Sequence, residues 1–152
     1  MIHLSITNWV QAKNQVAPIR LQVFVEEQGV PEDMEWDEFD QGAWHAIAKF
    51  NDQFVGTGRL ILPAIDQNPI AKIGRMAVLK SHRSQGIGQQ ILRALILKGK
   101  EKGAQEFILH AQTHAIPFYA KAGFEPHGPI FDEAGIPHVE MRLTFWVNKL
   151  KS

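Results

Sequence analysis

The segment from Gly86 to Lys102 constrains the fold most. Ile87, Ile91, Leu92, Leu95 and Ile96 recur at helical spacing and share one face. Lys98, Lys100 and Lys102 complement the dipole of the last turns, and Gly103 fits the position just past a helix end. Runs that read as strands flank it, Ile70 to Leu79 before and Glu106 to Ala111 after. Further strands are expected at residues 2–7, at Trp44 to Phe50 and at Phe54 to Leu62, the last two joined at Asn51-Asp52. Val139, Met141, Leu143 and Phe145 alternate strictly and predict a final strand. Trp9 to Gln28 carries Val16, Ile19, Val23 and Phe24 at helical spacing broken by Pro18, which predicts one or two helices with Pro18 opening the second. Gly29 to Gly42 reads as a loop or short helix, and Pro63 to Pro69 as a turn-rich connection. Thr113 is placed to cap a short helix with Ala115, Phe118, Tyr119 and Ala122 inward, closed by Gly123. The expectation is one mixed α/β domain (α+β) over residues 1–152, with about seven strands and four helices.

Composition excludes several functions. A chain of 152 residues can bury a core without staples, and it has no Cys. A thiol nucleophile, a Cys-ligated zinc site and a disulfide framework are therefore ruled out. Sixteen basic residues balance sixteen acidic ones, so a generic nucleic-acid binder is not expected. No apolar run reaches the roughly 18 residues of a membrane span, and Met1 to Ser5 do not resemble a signal peptide. A soluble, cytoplasmic domain is expected. The neutrality is uneven along the chain. Glu26 to Asp40 holds eight acids and no Lys or Arg, whereas Lys72 to Lys102 holds eight basic residues and one acid, Glu101. Such runs are commonly solvated faces. They also suit a protein that handles an anion at one place and a cation at another.

Arg83-Ser84-Gln85-Gly86-Ile87-Gly88 joins a strand to the amphipathic helix. A helix N-terminus presents unpaired N–H groups and a positive dipole end, and glycines let a bulky anion approach. No Gly-Lys-Ser/Thr follows, so this is not a Walker A loop, and Ile91 stands where a dinucleotide fingerprint needs its third Gly. Gly-x-Gly alone also makes plain tight corners. The flanking Lys80, His82 and Arg83 favour an anion, because they can meet phosphates from outside.

Arg83-x-x-Gly86-x-Gly88, after the strand Arg75-Met76-Ala77-Val78, resembles the acyl-CoA-binding motif of the GNAT superfamily of N-acetyltransferases. Pro117-Phe118-Tyr119-Ala120-Lys121-Ala122-Gly123-Phe124 resembles the family's second signature at the expected distance. Phe24-Val25-Glu26-Glu27-Gln28, Gly56-Thr57-Gly58-Arg59 and Gly135-Ile136-Pro137-His138 resemble the ElaA-like subgroup. The likeness runs from about Phe24 to Leu143. It implies a mostly antiparallel seven-stranded sheet with about four flanking helices and a splay between the fourth and fifth strands. It also implies direct transfer of an acetyl group from acetyl-CoA, a co-substrate, to a primary amine in a ternary complex, with no metal.

The resemblance assigns roles by position. The N–H groups of Arg83, Ser84, Gln85, Gly86, Ile87, Gly88 and Gln89 would hold the pyrophosphate. The backbone of Met76, Ala77 and Val78 would pair with the pantetheine amides, and the Val78 N–H would stabilise the oxyanion. Phe118 and His114 would line the cofactor; His114 stands where many members have Asn. Tyr119, the only Tyr, matches the residue that protonates the departing thiolate. Its inward helical face equally suits plain packing.

The general base does not carry over. An alkyl amine with a pKa of about 10.4 is neutral in only about one molecule in a few thousand at pH 7, so a proton must be removed. Several members use a Glu on the fourth strand, and Ile70 to Leu79 contains no acid. Glu27, His45, His110 and Glu140 are the candidates, directly or through water. Glu27 could equally anchor a cationic amine, cap or pair, and His110 has a suitable pKa but could equally bond within the fold. The i, i+4 spacing of His110 and His114 crosses a strand-to-helix junction, which discounts a metal site. Two classes of function remain open: an N-acetyltransferase whose acidic segment attracts a small or peptidic amine, and a non-catalytic acyl-CoA-binding module. Members of the family often form homodimers, and on this reading the last strand could pair across an interface.

Overall fold

The computed structural model describes residues 1–62 and 69–145. The expected connection at 63–69 lies outside them except for Pro69. Seven strands, β1 (Ile2–Thr7), β2 (Trp44–Phe50), β3 (Gln53–Ile61), β4 (Ile70–Val78), β5 (Glu106–Gln112), β6 (Glu125–Glu133) and β7 (Ile136–Thr144), form one sheet in the order β1-β2-β3-β4-β5-β7-β6. The mixed α/β expectation holds, with its seven-stranded sheet. Every neighbouring pair is antiparallel except β4 and β5. The last strand lies between β5 and β6, so β7 offers no free edge to a second copy; that expectation is corrected.

The parallel β4–β5 pair is short. It runs from Ile70↔Glu106 to Ile73↔Leu109 and then stops. Just beyond, Arg75 takes a φ of +52°, and the β3–β4 register shifts between Thr57 and Arg59. A bulge of this kind bends its strand. Gly74 to Val78 and His110 to Gln112 therefore separate, and the expected splay lies between them.

Four helices flank the sheet: α1 (Trp9–Arg20), α2 (Glu32–Glu35), α3 (Ile87–Glu101) and α4 (Ile116–Ala120). The α3 stripe Ile87, Ile91, Leu92 and Leu95 is buried. It lies so close to β3 that a Cβ on Gly56 would sit 2.8 Å from Ile91 Cδ1, and one on Gly58 2.8 Å from Leu95 Cδ1. Phe107 of β5 packs on Gly99 of α3, so Phe107, Leu109 and Ala111 face α3. The alternate residues, including His110 and Gln112, face the side that carries α1.

Three local expectations are corrected. Pro18 lies inside α1 and opens no second helix; Asn8 caps α1 through the Gln11 N–H, and the chain runs on into a π-helical segment, Leu21–Glu27. Losing one N–H at Pro18 is tolerated because α1 buries Ala12, Val16 and Ile19. The wider winding shows at its end, where the Gln28 N–H donates to Val23 O at 3.1 Å. Thr113 does not cap α4; it begins a 3₁₀ turn, Thr113–Ala115, and Ala115 precedes α4 without a side-chain cap. The strand β6 has no counterpart among the segments read from apolar patterning, because Glu125–Glu133 is exposed almost throughout and carries Pro126 and Pro129.

Candidate active site

The N-terminus of α3 is built by two residues in the left-handed region, Ser84 at φ +64° and Gly86 at φ +82°. Gly86 needs this freedom; Gly88 needs space, since a Cβ there would sit 3.0 Å from the Phe118 ring. The first helical bond is Gln90 N–H to Gly86 O at 3.1 Å. Among the described residues the N–H groups of Ser84 to Gln89 have no acceptor. They form a concave donor set at the positive end of a 15-residue helix, which fits a pyrophosphate. Gln89 Nε2 donates to Phe118 O at 2.9 Å and ties α4 beside this arch.

The arch opens onto the splay. The Leu79 N–H donates to Val55 O on the β3 side at 2.8 Å. Backbone groups alternate along a strand, so the Val78 N–H and carbonyl point to the edge that β5 has left. Arg83 Nε donates to that carbonyl at 2.8 Å, and its Nη1 and Nη2 grip Glu27 at 2.6 and 2.7 Å. The Arg83 side chain therefore turns back from the expected phosphate position, and its N–H donates to Lys80 O at 3.4 Å, so the expected place of Arg83 in the arch is corrected and the free donors begin at Ser84. Glu27 is held as a partner: the Arg83 hydrogen bond keeps its carboxyl below the ordinary carboxylate range. His82 is also engaged, with Ser81 Oγ 2.8 Å from its Nδ1. Lys80 is exposed.

Tyr119 is buried between Phe118 and Phe124, with ring centroids 4.9 and 6.1 Å away. Burial pushes the phenol above its ordinary pKa, so it stays protonated through the neutral range. Met76 and Val78 are half-buried on β4, Ala77 is buried, and His114 is exposed on the 3₁₀ turn before α4.

His110 is the first β5 residue past the paired segment. Its Nδ1 lies 2.9 Å from Glu133 Oε1, and Phe131 meets its ring edge-on at 5.0 Å. His138 lies on the other side of Glu133, its Nε2 3.8 Å from Oε2 and its Nδ1 donating to Ile136 O at 2.7 Å. Gln112, on the same face, exchanges hydrogen bonds with Gln28 at the end of the π-helical segment. The other base candidates are committed: Glu140 accepts from Arg142 Nε at 2.7 Å, and His45 is 1 % exposed with Nε2 2.9 Å from Asp40 O.

Half of the acidic segment is neutralised by arginines, while Glu26, Glu32, Asp33 and Glu38 stay exposed. Arg20 Nε meets Glu35 at 2.8 Å, and its Nη1 meets Asp40 at 2.8 Å. Arg59 Nη1 bridges Asp37 and Asp40 at 2.7 and 3.1 Å, and Arg75 bridges Glu35 and Asp37 at 2.9 and 3.1 Å. The Arg20 guanidinium lies between Trp9 and Trp36, 5.6 and 5.0 Å from their ring centroids. Burial pushes Glu35 up against the pull of Arg75 and Arg20. Burial acts on Asp40 too, but the Arg20 and Arg59 bonds outweigh it and hold Asp40 below its ordinary value. Glu133 and this cluster escaped the sequence reading. The acidic run, and Arg59 and Arg75 inside the family motifs, were the signals of the cluster; which groups pair was not among them.

A sheet splayed beyond a parallel pair, with a donor-rich helix end at the opening, defines an acyl-CoA-dependent transferase. The chain belongs to the GNAT acetyltransferase family: the family model for the acetyltransferase (GNAT) domain matches residues 11–145. It is 41% identical over 124 residues to the uncharacterized N-acetyltransferase YjcF of Bacillus subtilis, covering 81% of this chain and 86% of that one. Escherichia coli ElaA is 31% identical over 125 residues, 81% of each chain. The ElaA crystal structure superimposes with a TM-score of 0.82 over 93% of this chain and 99% of that one, at 28% identity. An acyl-CoA N-acyltransferase structure from Pseudomonas aeruginosa gives 0.81 at 27% identity, with the same coverage. The protein is thus an ElaA-like GNAT acyltransferase. Among the described residues no helix is long and apolar enough to cross a membrane.

Proposed function

We propose that the protein transfers an acetyl group from acetyl-CoA directly to a primary amine, both bound at once. The observation that carries this reading is the row of unpaired N–H groups from Ser84 to Gln89 opening onto the splayed edge of β4. On this reading those groups hold the pyrophosphate and the edge of Met76 to Val78 receives the pantetheine amides. The Val78 N–H is aimed at the thioester oxygen as charge develops there, and a fixed dipole needs no reorganisation in that role. Phe118 and His114 line the cofactor at α4. Tyr119 donates to the departing sulfur, and its raised pKa keeps the donor proton in place at working pH. Without a protein thiol, no cysteine-linked acyl-enzyme forms.

The test is release of free CoA from acetyl-CoA across a panel of amines and peptides, read with a thiol reagent. The chain has no Cys and gives no background. Release that depends on the amine supports the reading. Stabilisation by acetyl-CoA with no release from any acceptor contradicts it and leaves only an acyl-CoA-binding module.

A further inference from the structure

We propose that Glu133 positions His110 as the base that takes the proton from the acceptor amine. The inference rests on the transferase reading above and names the group that reading leaves open. His110 is the first residue of β5 released from the parallel pairing, so its side chain stands at the splay, on the sheet face opposite α3. The Nδ1–H donates to Glu133 Oε1 at 2.9 Å. A neutral imidazole that donates through Nδ1 carries its lone pair on Nε2. Among the described residues Nε2 has no hydrogen-bond partner. The edge-on Phe131 ring holds the imidazole plane. Glu133 reaches His110 because the turn at Ala134 and Gly135, at φ +53° and +79°, folds β6 back against β7. The same turn brings His138 to the second oxygen of Glu133.

The proton balance is simple. His110 Nε2 takes one proton from the ammonium group and passes it to solvent. The freed nitrogen attacks the thioester carbon, a C–N bond forms and the C–S bond breaks. The second proton lost from nitrogen is matched by the one that Tyr119 supplies to sulfur. One proton is released for each amide and each CoA formed. His110 is the catalytic residue, and Glu133 acts through it. The charged and titratable groups around the imidazole are Glu133 and His127 on β6, and His138, Glu140 and Arg142 on β7.

The test compares CoA release from pH 5 to 9 for the wild type, His110→Ala, Glu133→Ala and Glu133→Gln, with the imidazole tautomer read from ¹⁵N spectra. The wild type is expected to show a rate that rises with pH and then bends to a plateau, the limb of a single base. His110→Ala is expected to lose that bend and fall at least about 100-fold in kcat/KM, the usual scale of a lost base. Glu133→Ala is expected to lower kcat about tenfold without changing KM for acetyl-CoA. Glu133→Gln, which keeps an acceptor for Nδ1–H, is expected to recover most of that rate with the bend moved to lower pH. An equal thermal shift with acetyl-CoA in all four proteins checks the fold. An unchanged rate and bend in His110→Ala overturns the proposal, as does a wild-type spectrum with the proton on Nε2. If Glu133→Ala matches the wild type throughout, the positioning role is wrong. If the wild type releases no CoA from any amine, the transferase reading itself falls and the base with it.

Discussion

A single Cβ is enough to disturb the cofactor arch. Gly88 stands 3.0 Å, by its absent Cβ, from two atoms of the Phe118 ring. Gly88→Ala must push α3 from α4, and the pair brackets the proposed pyrophosphate site. The expected outcome is a folded protein whose thermal stabilisation by acetyl-CoA is clearly reduced, measured by melting with and without ligand. Tyr119→Phe keeps the packing among Phe118 and Phe124 and removes only the donor. CoA release is expected to fall about 100-fold while acetyl-CoA still stabilises the protein; a rate within twofold of wild type would assign Tyr119 to packing alone. His45 carries a pH dependence of its own. Burial lowers its pKa, so the neutral ring is the form that the fold holds. Stability is then full above its unfolded pKa of about 6.5 and is lost as the pH falls through the lower folded value. The melting temperature should drop between pH 7 and 5, and His45→Gln should flatten that slope.

At the scale of elements, the Arg20, Arg59 and Arg75 cluster joins α1, the acidic segment, β3 and β4. Arg20 is 1 % exposed and meets two carboxylates that are also buried. Removing one partner of such a set leaves uncompensated charge. Arg20→Met is expected to cost about 3–5 kcal/mol in a urea unfolding curve. The three subgroup motifs acquire physical reasons here. Phe24 to Gln28 lies in and just past the π-helical segment, whose Glu27 holds Arg83. Gly56 and Gly58 admit α3, and Arg59 enters the cluster. Gly135 makes the turn that places Glu133 beside His110 and His138.

The same elements show what was legible. The α3 helix, its glycine turn and six of the strands follow from patterning that burial on one face enforces. The strand β6 does not, because it buries almost nothing and its partner β7 supplies the pairing. Glu133 went unseen for the same reason: its role depends on a strand that leaves no apolar pattern. The Pro18 break is local chemistry overruled by the packing of α1. The acidic segment was visible as charge, but which arginines it meets depends on contacts between residues 15 to 40 positions apart.

At the scale of the whole molecule, the even balance of charge has two different sources. Half of the acidic segment is spent internally: Glu35, Asp37 and Asp40 on arginines inside the fold, and Glu27 on Arg83 at the splay. Glu26, Glu32, Asp33 and Glu38 remain exposed for a cation. The anion side is built mainly of backbone N–H groups at the α3 end rather than of side-chain charge. The central claim is direct transfer across the splay with both substrates bound. Initial rates measured while acetyl-CoA and the amine are varied together test it most directly. Double-reciprocal lines that intersect are the predicted result. Parallel lines, or no turnover while acetyl-CoA still stabilises the protein, would contradict it.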